Sequence, residues 1–267
     1  MNGFPTLENA TDDLRQLHRV ALVLGAINQF DRMREPNHLE QTLRVERDGL
    51  STGRLPSGHA FTLDLERLEL RSDGASIAFN GLSQRGVLEA ALKATGLTQD
   101  VASFVAGLEA KGVRVDAADL LNHAPIQVEA SIASDYARVL WRVFTAISRF
   151  RTRLTGPVTP LAVWPHGFDL STLWFSTETA LESAPHMNYG FAPFDRSGSA
   201  PYLYAYAYPM PEGFEKLPVP DGARWNTIGW SGMIVPYSEL ARQNDPEAFI
   251  ESTLEAVHGT LAPTLTR

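Results

Sequence analysis

Apolar side chains at three- and four-residue spacing mark the first element of the chain. Leu14, Leu17, Val20, Ala21, Leu24 and Ile27 follow that period behind Asp12 and Asp13, which predicts an amphipathic helix over 12–30. Beyond Pro36 the period shortens towards two, predicting extended segments at 38–46, 59–70 and 75–79 with turns at Asp48-Gly49 and Asp73-Gly74. In FTLDLERLEL the alternation slips at Glu66-Arg67, where a tight turn or a bulge is expected. Helical spacing returns over 87–94 and 101–110, with Gly112 placed to end the second helix. A short apolar piece at 113–115 follows, and 116–132, without periodicity, reads as a connection. The second half restarts with a long helix at 135–154, whose stripe runs Tyr136, Val139, Leu140, Val143, Phe144, Ile147, Phe150 and Leu154. Strands are expected at 161–163, 168–175, 202–208 and 228–235, and Asp245-Pro246 opens a last helix to about 257.

This order predicts an α+β protein of mainly antiparallel sheets covered by long helices. Two topologically similar helix-strands-helix halves, 1–132 and 133–267, are expected to share one core.

Composition narrows the function classes. The 267 residues are 44% hydrophobic and 20% charged, an ordinary globular balance. A net charge of −8 opposes non-specific attraction to nucleic acid. Cysteine is absent, which excludes disulfides, thiol nucleophiles and thiolate metal sites. MNGFPTLENATDD has neither a basic start nor a long apolar run, so the expectation is a cytoplasmic protein without a membrane partner. No phosphate-binding glycine loop, dinucleotide fingerprint, Gly-x-Ser-x-Gly elbow or kinase signature occurs, and no cofactor is expected.

Aromatic residues are unevenly shared. Of 13 Phe, 5 Trp and 7 Tyr, only Phe4, Phe30, Phe61, Phe79 and Phe104 precede residue 134. PYLYAYAYP sets Tyr202, Tyr204, Tyr206 and Tyr208 on one strand face, either to stack a ligand or to form the edge of an aromatic core. Trp164-Pro165-His166-Gly167-Phe168-Asp169 joins a titratable ring to a carboxylate; it reads either as acid-base machinery or as a loop. Asn37-His38 is its counterpart in the first half. With Asp169, the two histidines His38 and His166 would approximate a two-histidine, one-carboxylate metal site; the spacing lends that no support, and no metal is expected. Arg138, Arg142, Arg149, Arg151 and Arg153 crowd the long helix, ready either to grip an anion or to neutralise acids on a solvated face.

LAVWPHGFDLSTLWFS (161–176), PYLYAYAYPMPEGF (201–214) and MIVPYSELARQNDPEAFIESTLEAV (233–257) together resemble a bacterial family catalogued as domain of unknown function 5996. PNHLEQTLRVERDGLSTGRLP (36–56) is similar to that family's Asn-His segment and its Gly-Leu-x-Thr turn, and FTLDLERLELRSDG (61–74) to its next hairpin. The resemblance implies no activity, cofactor or catalytic residue. Its pattern favours tryptophans and a further histidine after Asn-His, where this chain has Leu39, Glu40 and Gln41. Around the FDL strand the family's histidine and arginines give way to Ala162, Trp174 and Glu178. If those groups form a site in relatives, the expectation is a changed or lost one here.

Three function classes follow. The leading expectation is small-molecule binding in an aromatic-lined cleft between the halves, walled by Trp164, His166, Asp169, Trp174, Tyr204, Tyr206, Trp230 and Tyr237 and closed by Asn37 and His38. The second is a cofactor-independent enzyme with His166 or His38 as base and Asp169 as its partner. The third is a structural or interaction protein, a homodimer joined through the tyrosine-rich face.

Overall fold

The computed structural model describes residues 3–7, 9–113, 120–194 and 200–265. The contacts of the chain divide it into two compact units. One comprises Asp12–Arg138 and Val163–Phe168, and the other Met1–Thr11, Val139–Ala162 and Asp169–Arg267. They are called here the histidine unit and the tyrosine unit.

The histidine unit opens with helix α1 (Thr11–Asp31). The predicted stripe is fully buried, and burial becomes continuous from Val23 to Asn28, so the middle of the helix is enclosed on all sides. A 3-10 turn, Pro36–Gln41, follows where an extended segment is expected from the sequence. The correction is local: Asn37 (φ 57°) and His38 (φ 56°) are both left-handed, a conformation no strand admits. Only Arg44–Glu46 of that segment is extended, as β1.

Strands β2 (Gly49–Arg54), β3 (Ala60–Asp64), β4 (Glu69–Ser72) and β5 (Ala75–Ala78) complete an antiparallel meander in the order β1-β2-β3-β4-β5. The slip at Glu66-Arg67 is the β3–β4 turn. Asp64 Oδ1 accepts the backbone N–H groups of Glu66 (3.1 Å) and Arg67 (2.9 Å), closing it. β2 is a strand that its Ser-Thr-Gly composition conceals, and it contains a register shift between Ser51 and Gly53.

Helices α2 (Gln84–Thr95) and α3 (Val101–Ala110) begin at side-chain caps, where Ser83 accepts from Gly86 N and Asp100 from Ser103 N. The bond from Ser103 also holds the Asp100 carboxyl below its usual range. Gly96 (φ 66°) ends α2 and Gly112 (φ 71°) follows α3, in the conformation glycine adopts most readily. The apolar piece expected at 113–115 lies outside the described residues except for Val113, and the connection is described only from Leu120. Its end is tied down: Asn80 and Val128 exchange bonds of 3.1 and 3.0 Å.

Helix α4 (Ala130–Arg151) carries the chain into the tyrosine unit, starting earlier than its apolar stripe suggests. After β6 (Ala162–Trp164), which straddles the unit boundary, come β7 (Asp169–Phe175), β8 (His186–Ala192), β9 (Tyr202–Tyr208), β10 (Arg224–Asn226) and β11 (Gly232–Pro236). Within the tyrosine unit these pair antiparallel in the order β10-β11-β9-β8-β7. Helices α5 (Tyr237–Ala241) and α6 (Pro246–Leu265) close the unit, α6 packing on β8 and β9. Arginines of α4 meet glutamates of α6 in ascending order, Arg142 with Glu247 and Arg149 with Glu251, so the two helices run in the same sense. No helix among the described residues is long and apolar enough to cross a membrane.

Candidate functional site

Six residues after the end of α1, the strained pair Asn37-His38 directs the chain back towards the helix. Left-handed non-glycine residues cost on the order of 1 kcal/mol each, and two in succession persist only where their surroundings hold them. Glu40, 5% exposed, supplies part of that hold: its Oε2 accepts from Glu35 N at 3.0 Å, and its Oε1 lies 3.8 Å from His38 Nδ1.

The second contribution is the loop Val163–Phe168, which belongs to the histidine unit. Leu43 and Val163 exchange two backbone hydrogen bonds of 2.9 Å. His18 Nε2 lies 2.7 Å from the Pro165 carbonyl, and its ring stacks on Phe168 at 5.5 Å. Gly25 completes the seat, since a Cβ there would stand 2.7 Å from the Pro165 ring. The loop is thus pressed against α1 and leaves His166 exposed on its outer side, with its ring edge-on to the buried Trp164 at 6.1 Å.

Between these parts lies a cavity of about 370 Å³. Its apolar wall is aliphatic: Leu22, Ala26, Leu108, Val113, Leu120 and Pro165. Its polar wall is Gln29, Arg34, His38, Glu40, Gln41 and His166. A smaller cavity of about 240 Å³ shares Gln29, Arg34, Glu40 and Val113 and adds Arg32, Met33 and Lys111. His38 and His166, the histidines singled out from the sequence, therefore face one cavity despite their distance along the chain. Among the described residues no group of three His, Asp or Glu side chains is placed to hold a metal ion.

The remaining candidates fall in the tyrosine unit. Tyr202, Tyr204 and Tyr206 lie on one sheet face with ring centroids 6.1 and 6.3 Å apart, and Trp230 lies 6.0–6.4 Å from all three. Gly190 on β8 and Gly232 on β11 make room, because a Cβ at either would enter the Tyr204 or Trp230 ring. The phenols are engaged as well: Tyr204 Oη donates to Asp169 Oδ2 at 2.5 Å, and Tyr206 Oη accepts from Asn188 Nδ2 at 3.0 Å. Burial and the adjacent carboxylate push the Tyr204 phenol well above its ordinary range. Only Tyr208, 50% exposed, stands clear of this packing.

Trp174 and Tyr237, expected as walls, are packed in the interior of the tyrosine unit. The Trp174 indole N–H donates to Thr155 O at 2.7 Å, with the His258 ring nearly perpendicular to it at 4.8 Å. Tyr237, 2% exposed, donates to Pro5 O at 2.7 Å and stacks on Phe4 at 6.0 Å. The arginines of α4, and Arg153 just beyond it, also have structural partners. Arg142 makes a two-pronged bond to Glu247 (2.6 and 2.8 Å), raising the guanidinium's pKa and lowering that of the carboxyl. Arg149 and Arg153 bind Glu251, Arg153 also binds Glu255, Arg138 pairs with Asp135, and Arg151 donates to Thr159 O. The reading of that row as charge neutralisation on a helix face is the one these contacts fit.

Sequence reasoning did not single out His18, Gln29 or Arg34. The signal available for the arginine was the run Arg32-Met33-Arg34 just after α1. His18 stands on the border of the helix's apolar stripe, where nothing local marks it as a support for a loop so far along the chain.

A family model matches residues 4–264 and carries the description "Family of unknown function (DUF5996)". This chain belongs to that family. No curated protein and no solved structure matches the chain. The Asn-His segment by which it resembles DUF5996 is the strained segment bordering the cavity. Glu40 and Gln41 line the same cavity.

Proposed function

We propose that this protein binds a small organic molecule in the cavity of the histidine unit. The observation that carries the reading is the meeting of His38 and His166 at one cavity with an aliphatic wall on one side and amide, carboxylate and guanidinium groups on the other. A volume of about 370 Å³ falls within the range of small-ligand pockets. Backbone strain at Asn37-His38 supports it, because sparsely populated conformations concentrate at ligand clamps.

A second reading is favoured by one contact. Glu40 lies beside His38 at 3.8 Å, so an imidazole with a carboxylate neighbour faces the cavity, as a cofactor-independent acid-base enzyme needs. The pairing of His166 with Asp169 has less support, since Asp169 already accepts a hydrogen bond from the Tyr204 phenol. A homodimer through the tyrosine face is also less supported, because Trp230 and the sheet already occupy most of the phenol row.

The test is a thermal-shift screen of metabolites against the native chain, His166→Ala, His38→Ala and Gln41→Trp, the last filling the cavity from its half-buried rim. A ligand of the folded state raises the melting temperature by mass action. Shifts that disappear in Gln41→Trp and shrink in the histidine variants support the site, and shifts indifferent to all three overturn it. Glu40→Gln separates the two readings: a binder keeps most of its affinity, whereas an enzyme keeps affinity and loses turnover of the compound found.

A further inference from the structure

The two adjoining cavities differ in charge. Among the described residues of the smaller one are three cations, Arg32, Arg34 and Lys111, against one carboxylate, Glu40. This excess stands out in a chain whose formal net charge is −8. Salt bridges do not account for it, since no described acid lies within ion-pair distance of these three cations.

Their hydrogen bonds divide the labour. Lys111 Nζ donates to the carbonyls of Gln29 and Arg32 at 3.4 and 3.1 Å and to that of Phe30, capping the last turn of α1. Its three donors are used, and it contributes charge alone. Arg32 donates through one Nη to Thr52 O and Arg54 O (2.9 and 3.1 Å), and Arg34 through one Nη to Gly112 O (3.3 Å). Each guanidinium carries about five N–H donors, so Arg34 retains a two-donor edge and Arg32 its Nε and Nη1 donors beyond these contacts. Two guanidinium groups with donors to spare beside an ammonium suit a planar or tetrahedral anion.

We infer that the ligand is an amphiphilic anion. Its carboxylate or phosphate head lies with Arg32 and Arg34, and its short aliphatic body lies along Leu22, Ala26, Leu108 and Leu120 in the larger cavity. Arg34 and Glu40 line both cavities and mark the passage between head and body. The inference rests on the cavity being the binding site and adds the chemical class of its occupant.

Isothermal titration with four probes of equal chain length tests it: octanoate, octyl phosphate, octan-1-ol and octylammonium. At least one anion is expected to bind about tenfold or more tightly than the alcohol, as charge-assisted bonds are stronger than neutral ones. That advantage falls with added salt. Arg34→Gln and Arg32→Gln, both on half-exposed or exposed positions, are expected to reduce the anion's affinity to that of the alcohol and leave the alcohol unchanged. Comparison of octanoate with octyl phosphate assigns the head group. Equal binding of alcohol and anion, or tighter binding of octylammonium, overturns the inference; if Gln41→Trp still abolishes that binding, the cavity stands as the site. Anion binding that survives Gln41→Trp overturns the site along with the inference. No binding by any probe at about 1 mM overturns the aliphatic anion as the ligand class.

Discussion

The tyrosine unit has the chemistry that attracts attention and the histidine unit has the space. Four aromatic rings, a carboxylate and an amide meet on one face of β7–β9, yet the rings lie against one another and the phenols of Tyr204 and Tyr206 are hydrogen-bonded within the sheet. In the histidine unit the groups are commonplace, but a strained turn and a loop pressed on α1 hold them around a cavity. Residues rich in binding potential make a site only where packing leaves their polar ends and faces uncommitted.

The strongest way to break this comparison is to disturb the tyrosine face from below. Gly190→Ala places a methyl group in the Tyr204 ring and 2.6 Å from the Leu170 carbonyl, neither of which can yield freely. A loss of about 3 kcal/mol is expected in urea denaturation. A loss below about 1 kcal/mol shows that the face is loosely packed and open to other uses.

Tyr204→Phe removes the buried donor to Asp169 and keeps the ring. The expected cost is about 2 kcal/mol, the size of a hydrogen bond to a charged group, while Tyr208→Phe at the exposed end changes stability by less than about 0.5 kcal/mol. Equal effects at the two positions erase the distinction drawn between inward and outward phenols.

In the histidine unit, Gly25→Ala sets two effects against each other. Overpacking against Pro165 costs about 1–3 kcal/mol. The better helix propensity of alanine returns about 1 kcal/mol. A net destabilisation of about 1 kcal/mol is expected, together with weaker binding of any ligand of the cavity, since the displaced loop carries His166. Unchanged affinity separates the loop from the site.

The smallest effect concerns His258, whose Nδ1 lies 2.5 Å from Tyr189 Oη between α6 and the sheet. Burial holds this imidazole below the ordinary histidine value of 6.5. Below that value the unfolded chain binds a proton that the folded one resists, so the contribution to stability is present at neutral pH and declines as pH falls. Denaturation at about pH 7.5 and about pH 5.5 is expected to show a smaller acid loss in His258→Gln than in the native chain. Identical losses place the acid sensitivity elsewhere, in the carboxylates that pair with the arginines of α4.

Much of the fold was legible because it depends on local periodicity. The stripes of α1 and α4, the turn at Glu66-Arg67 and the alternation of β9 are set by which side chains seek burial, and each element formed on that pattern, α4 shifted a few residues towards its N-terminus. The misreadings have physical causes. β2 reads as a turn because its Ser-Thr-Gly composition is polar although Leu50, Ser51 and Thr52 are buried. β8 escapes because Gly190 interrupts it, and that glycine is explained by the cross-strand ring of Tyr204 and the Leu170 carbonyl.

By itself the sequence determined an α+β chain of antiparallel sheets and long helices, its family, and the short set of residues worth testing. Tertiary structure alone decided which of those residues keep company. His38 and His166 share a cavity because a left-handed turn and a loop docked through His18 and Gly25 bring them there, and both depend on partners far away in the chain. The same nonlocal packing filled the tyrosine face, since the space between rings depends on which strands pair and in which register.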